Sequence, residues 1–214
     1  MELLLDTLLI LLVLTNFRLL GSSRLAACIQ TLAIQAVILG AMPLVMHASH
    51  LTVRVVAFAV AILGVKALLL PWLLRRAARE SGTQRELEPL IGFTSSVLIG
   101  ALLLAASFWV VRPLAQGMPA GEGLVCVIAL FTILTGLLMI VSRRKALTQV
   151  LGYLAMENGV YAFGTALAVD EPLLVELGVL LDLLVAVFVM GIAIYHISRE
   201  FDHIDTDQLS VLRD

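Results

Sequence analysis

Seven long apolar runs, separated by short charged connections, leave this chain very few ways to fold. They occupy residues 3–17, 25–46, 51–74, 90–111, 123–142, 146–169 and 173–197. A bilayer crossing takes about 20 apolar residues. A lone crossing segment must satisfy its own backbone hydrogen bonds, so each run is expected to be a helix. None alternates with the period of two that marks an outer-membrane barrel. Composition agrees: 61% of residues are hydrophobic and 14% charged, against roughly 45–50% and about 25% in soluble domains. Mean hydropathy is +1.05. The chain is therefore expected to be an all-α integral membrane protein with about seven transmembrane helices. A net charge of -2 argues against a nucleic-acid partner, which needs a basic surface.

The connections set the orientation. Eleven of the fourteen Lys and Arg fall on one side: Arg18 and Arg24, Arg75, Arg76, Arg79 and Arg85, Arg143, Arg144 and Lys145, then Arg199 and Arg213. Only Arg54 and Arg112 fall on the other, and Lys66 lies within a run. Positive connections stay in the cytoplasm, so the N-terminus is expected outside and the C-terminus in the cytoplasm. The start of the chain carries Glu2 and Asp6 and no Lys or Arg, unlike a cleaved signal peptide. Prolines 71, 89, 113 and 172 are expected to mark helix ends, and Pro43 to bend the second helix. The expected organisation is a three-helix group with a basic cytoplasmic loop (residues 1–88), a linking fourth helix (89–115), a second three-helix group (116–197) and a cytoplasmic tail (198–214). Residues 31–35, TLAIQ, align with 153–157, YLAME, which suggests that the two groups are parallel repeats.

Ionisable residues inside spans are costly and mark candidate functional sites. Glu157 lies eleven residues from the inner end of its run, about 17 Å deep and near the midplane. Tyr153 and Tyr161 flank it at i−4 and i+4 and share its face, and Asn158 is adjacent. A carboxyl group there can load and release a proton, or can serve as hydrogen-bonding glue between helices. Asp182 falls at nearly the same depth on the following antiparallel helix and is its natural partner. Lys66 either snorkels to the cytoplasm or joins the bundle as a relay or a partner to a carboxylate. His196 lies near the face of Asp182, as the inner mouth of a proton path. Gln35 and Gln149 are supporting polar groups. Cys28 and Cys126 stand alone in apolar runs and form no metal-ligand set, and no nucleophile or phosphate-binding motif is present.

The segment RRKALTQVLGYLAMENGVYAFGT, residues 143–165, resembles the second helix of the small three-helix K subunit of respiratory complex I, where a basic turn precedes a helix with a single Glu. The helix with Asp182 resembles that subunit's third helix, with Asp in place of Glu. Four further helices precede these three. The opening LLLDTLLILLVLTNFRLLGSSRLAACIQTLAIQAVILG and the tail REFDHIDTDQLSVLRD make the whole chain resemble the E component of hydrogenase-4. Members of that family are membrane subunits of nickel–iron hydrogenase and formate hydrogenlyase-type complexes. The resemblance implies a subunit with no redox centre in the bacterial cytoplasmic (inner) membrane. It would lie among antiporter-like proton-pumping subunits and other small complex I-like subunits, with Glu157 and Asp182 linking proton half-channels. The nickel–iron centre and iron–sulfur clusters would belong to a hydrogenase module in partner chains. In the tail, Asp205 or Thr206 can cap a short helix whose Leu209, Val211 and Leu212 pack on a cytoplasmic neighbour. A purely structural membrane subunit and a subunit of a multi-chain cation/proton antiporter are the competing readings.

Overall fold

The computed structural model describes residues 2–46, 60, 63–80, 89–118, 120–167, 185 and 191. Its elements are all helical: α1 (Glu2–Gly21), α2 (Leu25–Met46), a π-helical segment (Leu63–Leu69), α3 (Leu70–Glu80), α4 (Phe93–Ala115), α5 (Ala120–Ser142) and α6 (Ala146–Leu167). Among the described residues, four helices are long and apolar enough to cross a membrane: α1 over Leu3–Gly21, α2 over Leu25–Val45, α4 over Phe93–Ala115 and α5 over Gly121–Ser142. The protein is thus a multi-pass helical membrane protein. Helix α6 has 22 residues and reaches about 33 Å at 1.5 Å per residue. It falls outside that apolar set because Thr148, Gln149, Tyr153, Glu157 and Asn158 dilute it. The run at 173–197 lies almost wholly outside the described residues.

The elements depart from the sequence expectation in three places. The first helix outruns its apolar run: α1 continues through Arg18 to Gly21, with the cation in the last turn, where it meets the negative end of the helix dipole. The third run does not stay α-helical. Pro71 is the second residue of α3. It has no N–H to give to the preceding turn, and its ring crowds the carbonyl four residues back. The chain absorbs this as the π-helical segment Leu63–Leu69, a form that inserts into helices at such interruptions. Pro113 lies inside α4 rather than ending it. Helix α3 then runs on into the basic stretch. Leu70, Leu73, Leu74 and Ala77 are buried, at the i, i+3, i+4, i+7 spacing of one helical face. Arg75, Arg76 and Arg79 are exposed on the other.

Two antiparallel hairpins make the body, α1–α2 and α5–α6, with α1 packed on α5 and α2 on α6. The α5–α6 interface is the most extensive, because glycines let the backbones touch. A Cβ at Gly159 would come within 2.6 Å of the Ile133 nitrogen and 2.8 Å of the Ala129 oxygen. One at Gly152 would meet the Gly136 oxygen at 2.9 Å. Small residues at such crossings are the usual means of close packing in lipid, where burial from water drives nothing. Hydroxyls inside the helices return their protons to their own backbone, as Thr31 to Ala27 O, Ser107 to Leu103 O and Thr132 to Ile128 O.

Both hairpin turns lead into their second helix the same way. The Arg24 carbonyl accepts from the amides of Ala27 and Cys28, and the Lys145 carbonyl from those of Thr148 and Gln149. Beside the second turn, Arg143 is only 1% exposed. Its guanidinium donates to Leu20 O at 3.0 Å and Ile91 O at 3.2 Å and stacks 4.4 Å from the Phe93 ring. One loop cation thereby ties the end of α1 to the segment leading into α4, using carbonyls that lack helical partners.

Candidate functional site

The core divides into two apolar clusters. One gathers Leu19, Leu20, Leu25, Ile29 and Leu32 with Leu70, Leu73 and Leu74 of α3 and Met139, Leu151 and Leu154 of the second hairpin. The other gathers Leu9, Leu12, Ile38, Leu39 and Met42 with Val125, Ile128, Ala129, Ala162 and Ala166. Along every helix of the two hairpins, a polar interval separates the clusters. It is Thr15 and Asn16 on α1, Gln35 on α2, Thr132 and Thr135 on α5, and Glu157 and Asn158 on α6, all buried. Lys66 joins this layer from the π-helical segment. Buried polar groups persist when they are hydrogen-bonded, and all of these except Thr135 form one connected set.

Its centre is an ion pair. Lys66 Nζ lies 2.7 Å from Glu157 Oε1, with side chains 7% and 3% exposed. Lys66 also donates to Asn158 Oδ1 at 3.4 Å, and its ammonium sits 6.0 Å from the Tyr161 ring centroid, within reach of a cation–π attraction. Asn158 Nδ2 donates to Gln35 Oε1 at 3.3 Å. Gln35 Nε2 donates to Asn16 Oδ1 at 2.9 Å and to Thr15 Oγ1 at 3.1 Å. Asn16 Nδ2 donates to Thr132 Oγ1 at 2.8 Å. Glu157 Oε2 and Thr135 Oγ1 are buried with no hydrogen-bond partner among the described residues.

The structure brings together most of the residues singled out in the sequence. Glu157, Lys66, Asn158 and Gln35 are bonded into one network, and Tyr161 faces it. Lys66 does not snorkel: of its two readings, the partner to a carboxylate is the one observed. Tyr153 is half-buried against the inner apolar cluster. Gln149 is displaced from the expected supporting set. It is exposed, and its Nε2 donates to Arg143 O at 3.0 Å, because it sits two turns of α6 before Glu157, at the inner connection. Asp182 and His196 lie outside the described residues. Sequence reading missed Thr15, Asn16 and Thr132. The available signal was Asn16, a lone amide inside an apolar run. Among the described residues, no three His, Cys, Asp or Glu are grouped to hold a metal.

Residues 124–214 match the family model of NADH-ubiquinone/plastoquinone oxidoreductase chain 4L. An uncharacterized protein of Mycobacterium tuberculosis is 38% identical over 192 residues, 89% of this chain and 87% of that protein. Hydrogenase-4 component E of Escherichia coli is 35% identical over 148 residues, 69% of this chain and 68% of that protein, and its Shigella flexneri counterpart matches equally. No solved structure matches.

Proposed function

The chain belongs to the hydrogenase-4 component E family, and we propose that it is a non-redox membrane subunit of an energy-converting hydrogenase complex related to complex I, in which the Lys66–Glu157 pair handles protons. The observation that carries this reading is the pair itself, buried halfway along its helix and tied into a polar layer.

The chemistry follows from the pair's surroundings. The 2.7 Å contact between Nζ and Oε1 is short enough for a proton to shift along it, leaving an amine beside a carboxylic acid. Rotation of the carboxyl group would then carry that proton round to the place of Oε2, which has no hydrogen-bond partner among the described residues. Asp182, in the apolar run that follows, would receive it there, and His196 would open the route to the cytoplasm. Seven spans with the N-terminus outside and the C-terminus in the cytoplasm fit the charge asymmetry of the connections. The bacterial inner membrane is the compartment this reading implies. Antiporter-like subunits and a hydrogenase module are the partners it requires, with the nickel–iron centre and iron–sulfur clusters in those chains.

The test is gentle detergent purification with mass spectrometry of co-purifying chains, followed by proton-translocation assays of Glu157→Gln in membrane vesicles. Co-purification with hydrogenase and antiporter-like subunits is expected, as is lost translocation in an assembled Glu157→Gln complex. A chain that purifies alone, or an assembled Glu157→Gln complex that pumps normally, overturns the reading.

A further inference from the structure

We infer that Thr132 and Asn16 are positioning residues for the Lys66–Glu157 pair, acting through a one-way chain of side-chain amides. The inference rests on the proposed role of that pair in moving protons, and goes beyond it by assigning a function to residues on α1 and α5 that do not touch the pair.

The chain has a fixed direction, set at both ends. At one end Lys66 is an ammonium, which can only donate. Asn158 therefore turns its Oδ1 to Nζ and its Nδ2 to Gln35 Oε1. At the other end, two hydroxyls have committed their protons to backbone carbonyls, Thr132 to Ile128 O at 2.8 Å and Thr15 to Leu12 O at 2.7 Å. Each is left with an acceptor lone pair. Asn16 Nδ2 fills that of Thr132, and Gln35 Nε2 fills that of Thr15. Every amide between the two ends, Asn158, Gln35 and Asn16, consequently points its oxygen toward Lys66 and its nitrogen away. Three dipoles stand head to tail with their negative ends toward the ammonium. Bonds aligned this way polarise one another, and the effect is strongest where the dielectric is low.

The arrangement holds Nζ at a fixed place against Oε1, because Asn158 is itself clamped by Gln35. Loss of the Thr132 hydroxyl leaves Asn16 Nδ2 without its acceptor. The amides are then free to rotate, and the orientation at Asn158 is no longer imposed.

The experiment measures proton uptake by membrane vesicles carrying the whole complex, normalised to assembled complex and to hydrogen turnover. Thr132→Val is expected to reduce protons moved per turnover by about three- to tenfold, the size of one lost neutral hydrogen bond. Thr132→Ser, which keeps the hydroxyl, is expected to restore it. Adding Thr132→Val to Asn158→Leu is expected to cause no further loss, because both cut the same chain. Normal translocation by Thr132→Val and Asn16→Leu, with translocation lost in Glu157→Gln, overturns the inference and leaves the proton role of the pair standing. Normal translocation in Glu157→Gln overturns the proton role itself. Where Thr132→Val lowers assembly, the melting temperatures of Thr132→Val, Lys66→Met and the double variant decide. Less than additive losses for these two non-touching residues support the chain, and additive losses refute it.

Discussion

Replacing Lys66 by Met keeps the stem and removes the charge. The Glu157 carboxylate, 3% exposed, then loses a 2.7 Å contact with a cation, and Asn158 Oδ1 loses its donor. Removing one partner of a buried pair typically costs about 3–5 kcal/mol, since the other charge is left without compensation. That is a fall of roughly a hundredfold to a few thousandfold in the folded-to-unfolded ratio. Glu157→Met removes the carboxylate 2.7 Å from the ammonium and is expected to fall in the same range. The double variant Lys66→Met with Glu157→Met removes both charges of the pair. Apolar replacements of similar volume for a buried pair are often neutral, so its loss is expected near 1 kcal/mol, the size of the hydrogen bond that Asn158 gives up. The assay is reversible unfolding of the detergent-purified protein by increasing SDS, followed by far-ultraviolet circular dichroism. A coupling of at least about 3 kcal/mol between the two positions is the expected result. Single variants as stable as wild type, or a double variant as damaged as the sum of both, would refute the burial argument. Translocation separates stability from function: the double variant is expected to fold and assemble, yet move no protons.

Three further outcomes test other parts of the fold. Gly159→Ala pushes a methyl group toward the Ile133 nitrogen and the Ala129 oxygen; backbone cannot yield as a side chain can, so a loss of about 1–3 kcal/mol and a lower melting temperature of the complex are expected. Arg143→Lys keeps the charge but loses the fork that reaches Leu20 O and Ile91 O together; faster amide hydrogen exchange over residues 91–97 is the expected readout, with little change at α6. Thiol labelling of Ser22→Cys and Lys145→Cys is expected only from the cytoplasmic side, and of Gln116→Cys only from outside, with low background because Cys28 and Cys126 are both buried; labelling of all three from one side would defeat the orientation.

Much of the helical architecture was legible because lipid imposes strict rules on the backbone. Charges at 18–24 and 143–145 bracket the hairpin turns, and the apolar runs between them became α1, α2, α5 and α6 with small shifts of boundary. Glu157 and Lys66 were legible as individual residues for the same reason, since a charge in an apolar run stands out. Their meeting was not. A span's hydropathy gives depth along the membrane but no lateral neighbour, and residues 66 and 157 are joined by nothing local. The spacing of Lys66 with Leu70, Leu73 and Ala77, the buried stripe of α3, was a signal that it turns inward. Pro71 carried a second signal, a broken turn beside the cation, but proline alone does not distinguish a helix end from a π-helical insertion.

The missed residues explain what kind of information was lacking. Thr15 and Thr132 look unremarkable in sequence, because Thr within a span usually bonds only to its own helix. Both do so here, and that is what makes them useful. A hydroxyl whose proton is already given to a backbone carbonyl has become a pure acceptor, and a pure acceptor is what the nitrogen end of an amide chain needs. The local rule that makes these residues uninformative in one dimension therefore fixes the direction of the network in three. Asn16, Gln35 and Asn158 lie on three helices contributed by both hairpins, so no segment alone contains the layer. It exists only where α1 meets α5 and α2 meets α6. On the proposed reading, a proton shift at Lys66 would act on the contact between the hairpins, and a neighbouring subunit that moved one hairpin against the other would act on Lys66 through the same bonds.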